Sequence, residues 1–515
     1  MNGAESLIRT LVNGGVDTCF ANPGTSEMHL LGALDRAPEM RCLLTLFEGV
    51  ATGAADGYAR MTRKPACTLL HLGPGLANGV ANLHNASRAQ VPIINLVGDH
   101  ATYHLPHDAP LTSDVEGIAR PVSKWVRTSR MASGIGCDTA DALAAARTYP
   151  GQIATLIVAA DAAWSEGGVI APASVFQKPP MPSSESIARA ADLLRSGAPV
   201  GVLLAGDSTF GDGLEAAGRL AAATKAKLLV PYPFTRLERG AGLPHVERIP
   251  YIFEQAAEML KEFRYLISVG AQPPISYFAH PSRDASPISP TCDVHTLARP
   301  EEDCSGSMLA LAEQLTSKRI DSPPFDPPPT PLTAHGEISA AAVAITIGAS
   351  LPENAIVIEE SMTSGRNLMT ATRGAPRHDV LANTGGSIGI AMPLAVGAAV
   401  ACPERRVLCL SADGSGMYTQ QALWSMARAG LNVTTVIFAN REYAVLKREY
   451  ASFGLGNPSD RIRDLFEIGR PDIDWLSLAK GMGVDGKRPQ TIEDFGKALR
   501  EGFESNGPSL IEVRL

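Results

Sequence analysis

Short apolar runs alternate with amphipathic stretches over the whole length of the 515-residue chain. The apolar runs are bounded by glycine, proline or polar residues, which is typical of strands buried on both faces. The predicted strands are Ala66–Leu72, Val91–Gly98, Val200–Ala205, Lys227–Pro231, Tyr265–Val269, Ala355–Glu359, Val407–Ser411 and Val433–Ala439. The predicted helices between them include Ile187–Ser196, Ala216–Ala223, Ile252–Leu260 and Thr419–Ala429. This alternation predicts an α/β fold of parallel sheets covered by helices, with ligands at the carboxyl ends of the strands.

Two proline-rich segments, 171–186 and 318–336, divide the chain. Such segments resist helix and sheet and act as semi-rigid spacers. A domain usually contains about 100–200 residues, so one core is not enough for this chain. We therefore predict three α/β domains, at residues 1–170, 185–317 and 336–515, each with a parallel sheet flanked by helices.

Charge and cysteine usage narrow the class of protein. Lys and Arg number 45 against 53 Asp and Glu, a net charge of −8, and no basic stripe indicates a nucleic-acid partner. The eight cysteines are widely spaced without a CxxC pair, which argues against a zinc or redox motif. Residues 1–16 lack the features of a signal peptide, and the longest apolar stretch, 388–401, is shorter than the roughly 20 residues of a membrane span. We expect a cytoplasmic protein with no membrane partner.

The segment from Val407 to Tyr443 contains the sharpest chemical pattern. Asp413 and Asn440 each follow a predicted buried strand, so both should lie at the same carboxyl edge. A carboxylate and an amide oxygen suit Mg²⁺ or Ca²⁺. Gly414 and Ser415 open the next helix, where backbone N–H groups suit a phosphate. On spacing alone, an ordinary strand, polar turn and helix remains an equal alternative.

This segment resembles the cofactor motif of thiamine diphosphate (TPP)-dependent enzymes, which begins Gly-Asp-Gly and ends Asn-Asn. Ala412 and Ala439 depart from it at positions outside the proposed metal ligands. The resemblance implies a metal bound by Asp413, Asn440 and the carbonyl of Glu442. Residues 71–78 resemble a loop of the family on the substrate side, and residues 360–363 resemble its strand end beside the cofactor. Together with the segments described below, the resemblance implies a cofactor-binding set of Glu48, Asn78, Thr363, Ser387, Ile388, Asp413, Gly414, Ser415, Asn440 and Tyr443.

A glycine-rich turn, NTGGSIG from Asn383 to Gly389, precedes a predicted apolar helix. The family resemblance implies that Ile388 lies under the cofactor and keeps its two rings bent. The glycines do not fit G-x-G-x-x-G, so a nucleotide-dependent dehydrogenase is disfavoured. The middle block also lacks a flavin-binding glycine pattern, and we expect no FAD.

Glu48 lies where a predicted strand passes into a helix, in LTLFEGVATGAADGYARMT. From the residues alone, a helix-capping or ion-paired glutamate is the more common role. The segment resembles H-E-x-x-A-x-x-M-A-x-G-Y-A-R of the same family, departing at Phe47 and Ala54. The resemblance implies that Glu48 hydrogen-bonds the aminopyrimidine and promotes formation of the C2 ylide. In the family, acid and metal motif come from different subunits, which implies a homodimer or homotetramer.

The substrate side looks closest to benzoylformate decarboxylase and to acetolactate synthase large subunits. The resemblance implies that Thr25 and His71 face the reacting carbon. The roles of His100, His104, His107 and His280 stay open. Lys447, Arg448 and Glu449 stand where benzoylformate decarboxylases have apolar residues, so their helix either lines a pocket for a more polar substrate or is a solvated face.

The resemblance thus implies a TPP- and Mg²⁺-dependent 2-oxo acid decarboxylase that acts through an ylide and an enamine. The alternatives are an acetolactate synthase-like carboligase forming 2-hydroxy ketones, and a non-catalytic subunit that keeps the cofactor fold.

Overall fold

Three β-sheets organise the chain in the computed structural model, which describes residues 1–172, 176–316 and 333–515. The sheets have six, five and seven strands, and every strand pairing but one is parallel. The predicted α/β class is therefore confirmed. Most of the second predicted linker, residues 318–332, lies outside the described residues.

The first sheet has the order β2-β1-β3-β4-β6-β5 and is parallel throughout. Its segment contains α1 (Gly3–Asn13), β1 (Thr18–Asn22), α2 (Met28–Asp35), β2 (Arg41–Leu44), α3 (Glu48–Thr62), β3 (Ala66–Leu70), α4 (Leu72–Ala89), β4 (Ile93–Asp99), α5 (Val115–Ala119), β5 (Trp125–Ser129), α6 (Ala132–Arg147), β6 (Ile153–Ala159) and α7 (Ala160–Trp164). Short 3-10 helices occupy Thr25–Glu27 and Leu105–His107.

The second sheet has the order β10-β8-β7-β11-β12 and is also parallel. Its segment contains α8 (Ser184–Arg195), β7 (Val200–Leu204), a 3-10 helix (Gly206–Thr209), α9 (Gly211–Thr224), β8 (Lys227–Val230), β9 (Arg236–Arg239), β10 (Val246–Arg248), α10 (Phe253–Leu260), β11 (Tyr265–Val269), β12 (Asp293–Ala298) and α11 (Cys304–Leu315).

The third sheet has the order β17-β18-β16-β15-β13-β14-β9. Its segment contains α12 (Ala340–Ser350), β13 (Ala355–Glu360), α13 (Leu368–Ala371), β14 (His378–Ala382), α14 (Ala391–Ala401), β15 (Val407–Ala412), α15 (Asp413–Gly416), α16 (Ala422–Ala429), β16 (Val433–Ala439), α17 (Ala444–Ser452), α18 (Asp460–Arg463), α19 (Trp475–Gly481), β17 (Asp485–Lys487), α20 (Ile492–Glu504) and β18 (Ser509–Arg514). Its edge strand β9 comes from the middle of the chain and pairs antiparallel with β14, which ties the second and third segments together.

Helices α3 and α14 pack closely against each other and join the first and third segments. Small residues permit this approach: a Cβ added at Gly57 would lie 2.2 Å from the Leu394 carbonyl oxygen, and one at Gly397 would lie 1.9 Å from that of Ala54. Overpacking of this kind typically costs about 1–3 kcal/mol. The glycine- and alanine-rich sequence of α3 therefore reflects packing, and the packing fixes the position of Glu48 at its first turn.

The predicted strands agree with the observed ones to within a few residues. One helix differs, because Gly414 and Ser415 belong to a single turn, α15, and regular helix resumes only at α16. In the described ranges, no helix is both long enough and apolar enough to cross a bilayer.

Candidate cofactor and substrate site

Asp413 and Asn440 lie at the carboxyl edge of the third sheet, after the neighbouring strands β15 and β16. The buried Asp413 carboxylate accepts hydrogen bonds from the backbone N–H groups of Gly414 (2.8 Å) and Arg441 (2.6 Å). Burial raises the pKa of Asp413, while these N–H groups favour its charged form. The structure therefore brings the two predicted side-chain ligands together, with the aspartate fixed by backbone on both sides.

The loop after Asn440 is held in place by a short pairing with residues 466–468. Tyr443 donates its N–H to the Phe466 carbonyl (2.7 Å), and Ile468 donates to that of Arg441 (2.9 Å). These bonds do not use the Glu442 carbonyl, which is the third predicted ligand. The Glu442 side chain instead forms an ion pair with Lys447.

The turn at 385–389 is held by two partners that lie far away in sequence. Asn85 of α4 donates to the Ser387 carbonyl (2.8 Å) and accepts from the Ser387 N–H (3.2 Å). Half-buried Ile388 follows, and Gly389 adopts a positive φ of 92°. A Cβ at Gly389 would lie 2.5 Å from Cβ of Tyr418, so only glycine fits both the backbone and the space.

Glu360 is the second partner of this turn, and the sequence analysis did not single it out. Its buried carboxylate accepts from the backbone N–H groups of Gly389 (3.1 Å), Ile390 (3.3 Å) and Ala391 (3.0 Å), and from Asn383 Nδ2 (3.0 Å). Burial raises its pKa to about 7, against the opposing effect of these donors. Glu360 directly follows the predicted strand Ala355–Glu359, as Asp413 lies just past the end of its own predicted strand, and this position was the available indication.

Glu48 begins α3, and its side chain is almost fully buried. Asn78, which was predicted as a cofactor-binding residue, donates from Nδ2 to Glu48 Oε2 at 3.0 Å. Gly75 keeps space open beside the other oxygen, since an added Cβ would lie 3.3 Å from Oε1. Among the described residues, the Glu48 carboxyl group therefore accepts a hydrogen bond from a neutral side chain and forms no ion pair, although ion pairs are common for buried glutamates. The small Gly75 leaves room for a ligand beside its other oxygen.

His71 contacts two side chains that were not predicted to take part. Its Nδ1 lies 2.8 Å from Oε2 of the fully buried Glu27 and 3.2 Å from Ser26 Oγ. Glu27 also accepts from the Gly24 N–H at 2.8 Å. Because an ionised carboxylate only accepts hydrogen bonds, Nδ1 of His71 carries the proton in this contact. The other ring nitrogen, Nε2, is then the one that can exchange protons with a ligand.

The other residues named from the sequence do not take part in the contacts described above. Thr25 is exposed at the start of its 3-10 helix, and it is the neighbouring Ser26 that bonds His71. Thr363 lies in the turn after β13. His100, His104 and His107 stack on one another with ring centroids 5.4 and 5.7 Å apart, and His280 stacks on Phe453 at 4.7 Å.

The residues present fit a diphosphate held through a divalent cation. Among the described residues, no group of three or more His, Cys, Asp or Glu side chains could hold a metal. The predicted ligand set needs only one such side chain, since an amide and a backbone carbonyl supply the other oxygens. At Gly414, an added Cβ would lie 2.6 Å from Cε1 of Tyr443, so the ring of Tyr443 packs directly on this backbone. A glycine followed by Ser415, beside the Asp413 carboxylate, suits a phosphate–cation pair.

Comparison with known proteins agrees with this geometry. Residues 1–117 match the N-terminal TPP binding domain of thiamine pyrophosphate enzymes, and residues 363–513 match the C-terminal TPP binding domain. The Mycobacterium tuberculosis protein named "Putative acetolactate synthase large subunit IlvX" is 50% identical over 514 residues, covering 100% of this chain and 99% of that protein. Benzoylformate decarboxylase of Pseudomonas aeruginosa is 27% identical, covering 97% of this chain and 96% of the relative.

A solved structure, the Rhodococcus jostii RHA1 thiamine diphosphate-dependent 4-hydroxybenzoylformate decarboxylase, shares the fold. It superposes with a TM-score of 0.86 at 23% identity and covers 100% of this chain and 99% of its own. Sequence motifs, strand-end geometry and full-length relatives thus agree, and the chain belongs to the thiamine pyrophosphate enzyme family.

Proposed function

We propose that this enzyme is a Mg²⁺-dependent decarboxylase of a 2-oxo acid. The observation that supports it most is the contact between His71 and Glu27, on the edge of the first sheet where Glu48 also lies. When bound, thiamine diphosphate supplies the carbon nucleophile and the electron sink for cleaving a bond beside a 2-oxo group. Release of an aldehyde then needs a proton, and Nε2 of His71 can deliver it after taking up a proton to form the imidazolium, while Glu27 holds the proton on Nδ1.

Each predicted residue has a distinct task in this proposal. Glu48 would hold the aminopyrimidine end and exchange a proton there, with Asn78 fixing its carboxyl group. Asp413, Asn440 and the Glu442 carbonyl would hold Mg²⁺, and Ser415 and Tyr443 would lie beside the diphosphate. Ile388 would support the bent cofactor from its anchored turn. Thr25 and His71 would face the substrate.

A carboligase is the second candidate, and the name of the mycobacterial relative favours it. Both reactions begin with cleavage of the bond beside the 2-oxo group, and they differ in what then reacts with the remaining carbon fragment. A proton from His71 yields an aldehyde, whereas a second carbonyl compound yields a 2-hydroxy ketone. The oriented histidine is the observation that favours the aldehyde.

We also propose that the protein assembles as a homodimer or homotetramer. Large apolar side chains are exposed beside both halves of the site: Leu46 (47% exposed) near Glu48, and Tyr418 (55%), Leu446 (44%) and Leu465 (68%) near Tyr443. Exposed apolar surface of this kind is typical of protein interfaces. Its position is consistent with active sites that form between subunits.

The test is calorimetric titration of the cofactor-free protein with thiamine diphosphate and Mg²⁺, followed by assay of carbon dioxide release from a panel of 2-oxo acids. We expect metal-dependent binding and turnover that yields aldehydes, with turnover lowered by about 10²–10⁴-fold in Glu48→Gln. Glu39→Gln, at an exposed surface ion pair with Arg9, is the matched control. Aldehyde products support the decarboxylase, 2-hydroxy ketones from the same acids would replace it with the carboligase, and binding without turnover would overturn both.

A further inference from the structure

Three tyrosines lie at the carboxyl ends of three parallel strands of the second sheet. Tyr232 follows β8, Tyr251 follows β10 and Tyr277 follows β11. Their rings contact one another, with centroids 5.5, 6.0 and 5.3 Å apart. In open α/β sheets this edge is where ligands bind, so the aromatic cluster occupies the position expected of a binding site.

Two arginines stack on these rings. The Arg248 guanidinium lies 5.3 Å from the Tyr232 ring centroid, and that of Arg448, on α17, lies 5.1 Å from the Tyr251 centroid. Arg248 also pairs with Glu359 at the end of β13 (3.4 Å). The tyrosine–arginine cluster, made of these three tyrosines and the arginines beside them, therefore closes the gap between the carboxyl edges of the second and third sheets.

The arginines at the cluster outnumber the glutamates that form ion pairs with them. Arg448 is balanced by its neighbour Glu449 (3.2 Å), and Arg248 by Glu359. A third arginine, Arg366, is exposed in the turn after β13, and it forms no ion pair within the part of the chain that the structure describes. Partial burial of its guanidinium and, to a smaller extent, the charge of nearby Arg448 lower the pKa of Arg366. An anion that contacts both guanidinium groups would offset their mutual repulsion.

The cluster adjoins the candidate cofactor site. Cε1 of Tyr277 lies 3.5 Å from where a Cβ on Gly386 would stand, next to Ser387 and Ile388. Helix α17 begins directly after Tyr443, and Arg448 follows five residues later. At about 1.5 Å per residue, this places Arg448 roughly 7–8 Å farther along the helix axis. A ligand of a few carbon atoms can span that distance.

We propose that the tyrosine–arginine cluster binds a second carboxylate on the substrate, so that the enzyme acts on 2-oxo acids with a distal acidic group. The reaction in this inference rests on the proposed decarboxylase function, whereas the binding of the anion does not depend on it. Arg448 donates to Glu449 through only one of its terminal nitrogens, and because it stacks through its face, its other edge N–H groups can match the oxygens of a carboxylate. The half-buried rings of Tyr232 and Tyr251 shield such a pair from part of the surrounding water and so strengthen it.

Binding is tested by titrating the full-length protein, with and without thiamine diphosphate and Mg²⁺, with glutarate and with pentanoate. We expect glutarate to bind at least about tenfold more tightly than the monocarboxylate of equal length, and Arg448→Met to remove the difference. The matched control is Arg264→Met, since Arg264 stacks on Tyr265 at the same 5.1 Å but at the opposite end of β11. Arg366→Met, at an exposed side chain, provides a second variant if Arg448→Met does not fold.

Measurement of turnover provides an independent test of the same substrate preference. We expect kcat/KM for 2-oxoglutarate to exceed that for 2-oxopentanoate by about tenfold or more, and Arg448→Met to lower only the former, with partial rescue by Arg448→Lys. Equal kcat/KM values, or selectivity unchanged in Arg448→Met, would overturn the proposal and leave the cluster as interdomain packing. If no 2-oxo acid is turned over, the decarboxylase proposal fails, and the glutarate titration still decides the binding site.

Discussion

The carboxyl edges of the first and third sheets both present buried acids, but they hold them with different partners. In the first segment, Glu48 bonds the amide of Asn78, and Glu27 bonds the imidazole of His71. In the third segment, the carboxylates of Asp413 and Glu360 are held mainly by backbone N–H groups. Side-chain partners can rotate and exchange protons, whereas backbone donors are fixed by the fold.

This difference suggests a division of work within one enzyme. In the proposed function, the first edge would move protons near the substrate and the aminopyrimidine. The third edge would keep negative charge and loop geometry constant for a metal and a diphosphate. Substitutions on the two edges should therefore have different effects, those on the third edge on cofactor binding and stability, and those on the first edge on turnover.

Of the substitutions that should distinguish the two sheet edges, Asp413→Ala is expected to have the largest effect. Removing the charged ligand should weaken Mg²⁺-dependent binding of thiamine diphosphate by about 100-fold or more, because an amide and a carbonyl oxygen alone bind Mg²⁺ poorly. Calorimetry at fixed Mg²⁺ measures this, with the exposed Asp485→Ala as control. Unchanged affinity in Asp413→Ala would remove the metal site from the third edge.

A smaller effect, confined to turnover, is expected for Glu27→Gln. The variant keeps the shape of the side chain but weakens the hydrogen bond that orients His71, so kcat should fall by about 10- to 100-fold while cofactor affinity stays the same. Steady-state assays and calorimetry on the same preparation separate the two quantities. A loss of cofactor affinity equal to the loss in kcat would contradict a proton-handling role.

The smallest effect is expected for Glu360→Gln, and it depends on pH. The pKa of Glu360 is raised by burial from its ordinary value of 4.5 to about 7. Between these values the folded protein keeps a proton that the unfolded chain has lost, so wild-type stability falls as pH rises through this range. Glutamine does not titrate, and the variant should gain about 1–3 kcal/mol relative to wild type between pH 5 and pH 8.

Urea unfolding midpoints of wild type and Glu360→Gln at the two pH values measure this difference. If the difference in unfolding midpoint between the two proteins did not change with pH, Glu360 would have to be ionised throughout this range. That result would weaken the distinction drawn between the carboxylates of the two edges.

Much of the site could be predicted because strand ends can be located in the sequence. The apolar runs before Asp413 and Asn440 fix where each strand stops, and parallel pairing then places both residues at one edge. The family resemblance placed Glu48 and Asn78 in one cofactor-binding set, but their contact was not predicted, since nothing local in the sequence indicates that the starts of α3 and α4 adjoin.

The parts that sequence reasoning missed depend on long-range register. The contact of Glu27 with His71 joins loops after two strands, and no local pattern gives the relative height of those loops. Strand β9, with the sequence RLER, pairs with a sheet formed more than a hundred residues later, which alternation along a short segment does not indicate. Glu360 could have been found by the strand-end argument that identified Asp413.

The central claim is that Glu48 activates bound thiamine diphosphate, and exchange of the C2 proton of the cofactor with deuterium tests it most directly. In the wild-type protein saturated with thiamine diphosphate and Mg²⁺, we expect exchange, followed by quenched-flow NMR, to be faster than for the free cofactor by about 10²-fold or more. Glu48→Gln should bind the cofactor with similar affinity and lose most of this acceleration. Wild-type exchange no faster than in solution, or acceleration retained in Glu48→Gln, would contradict the account.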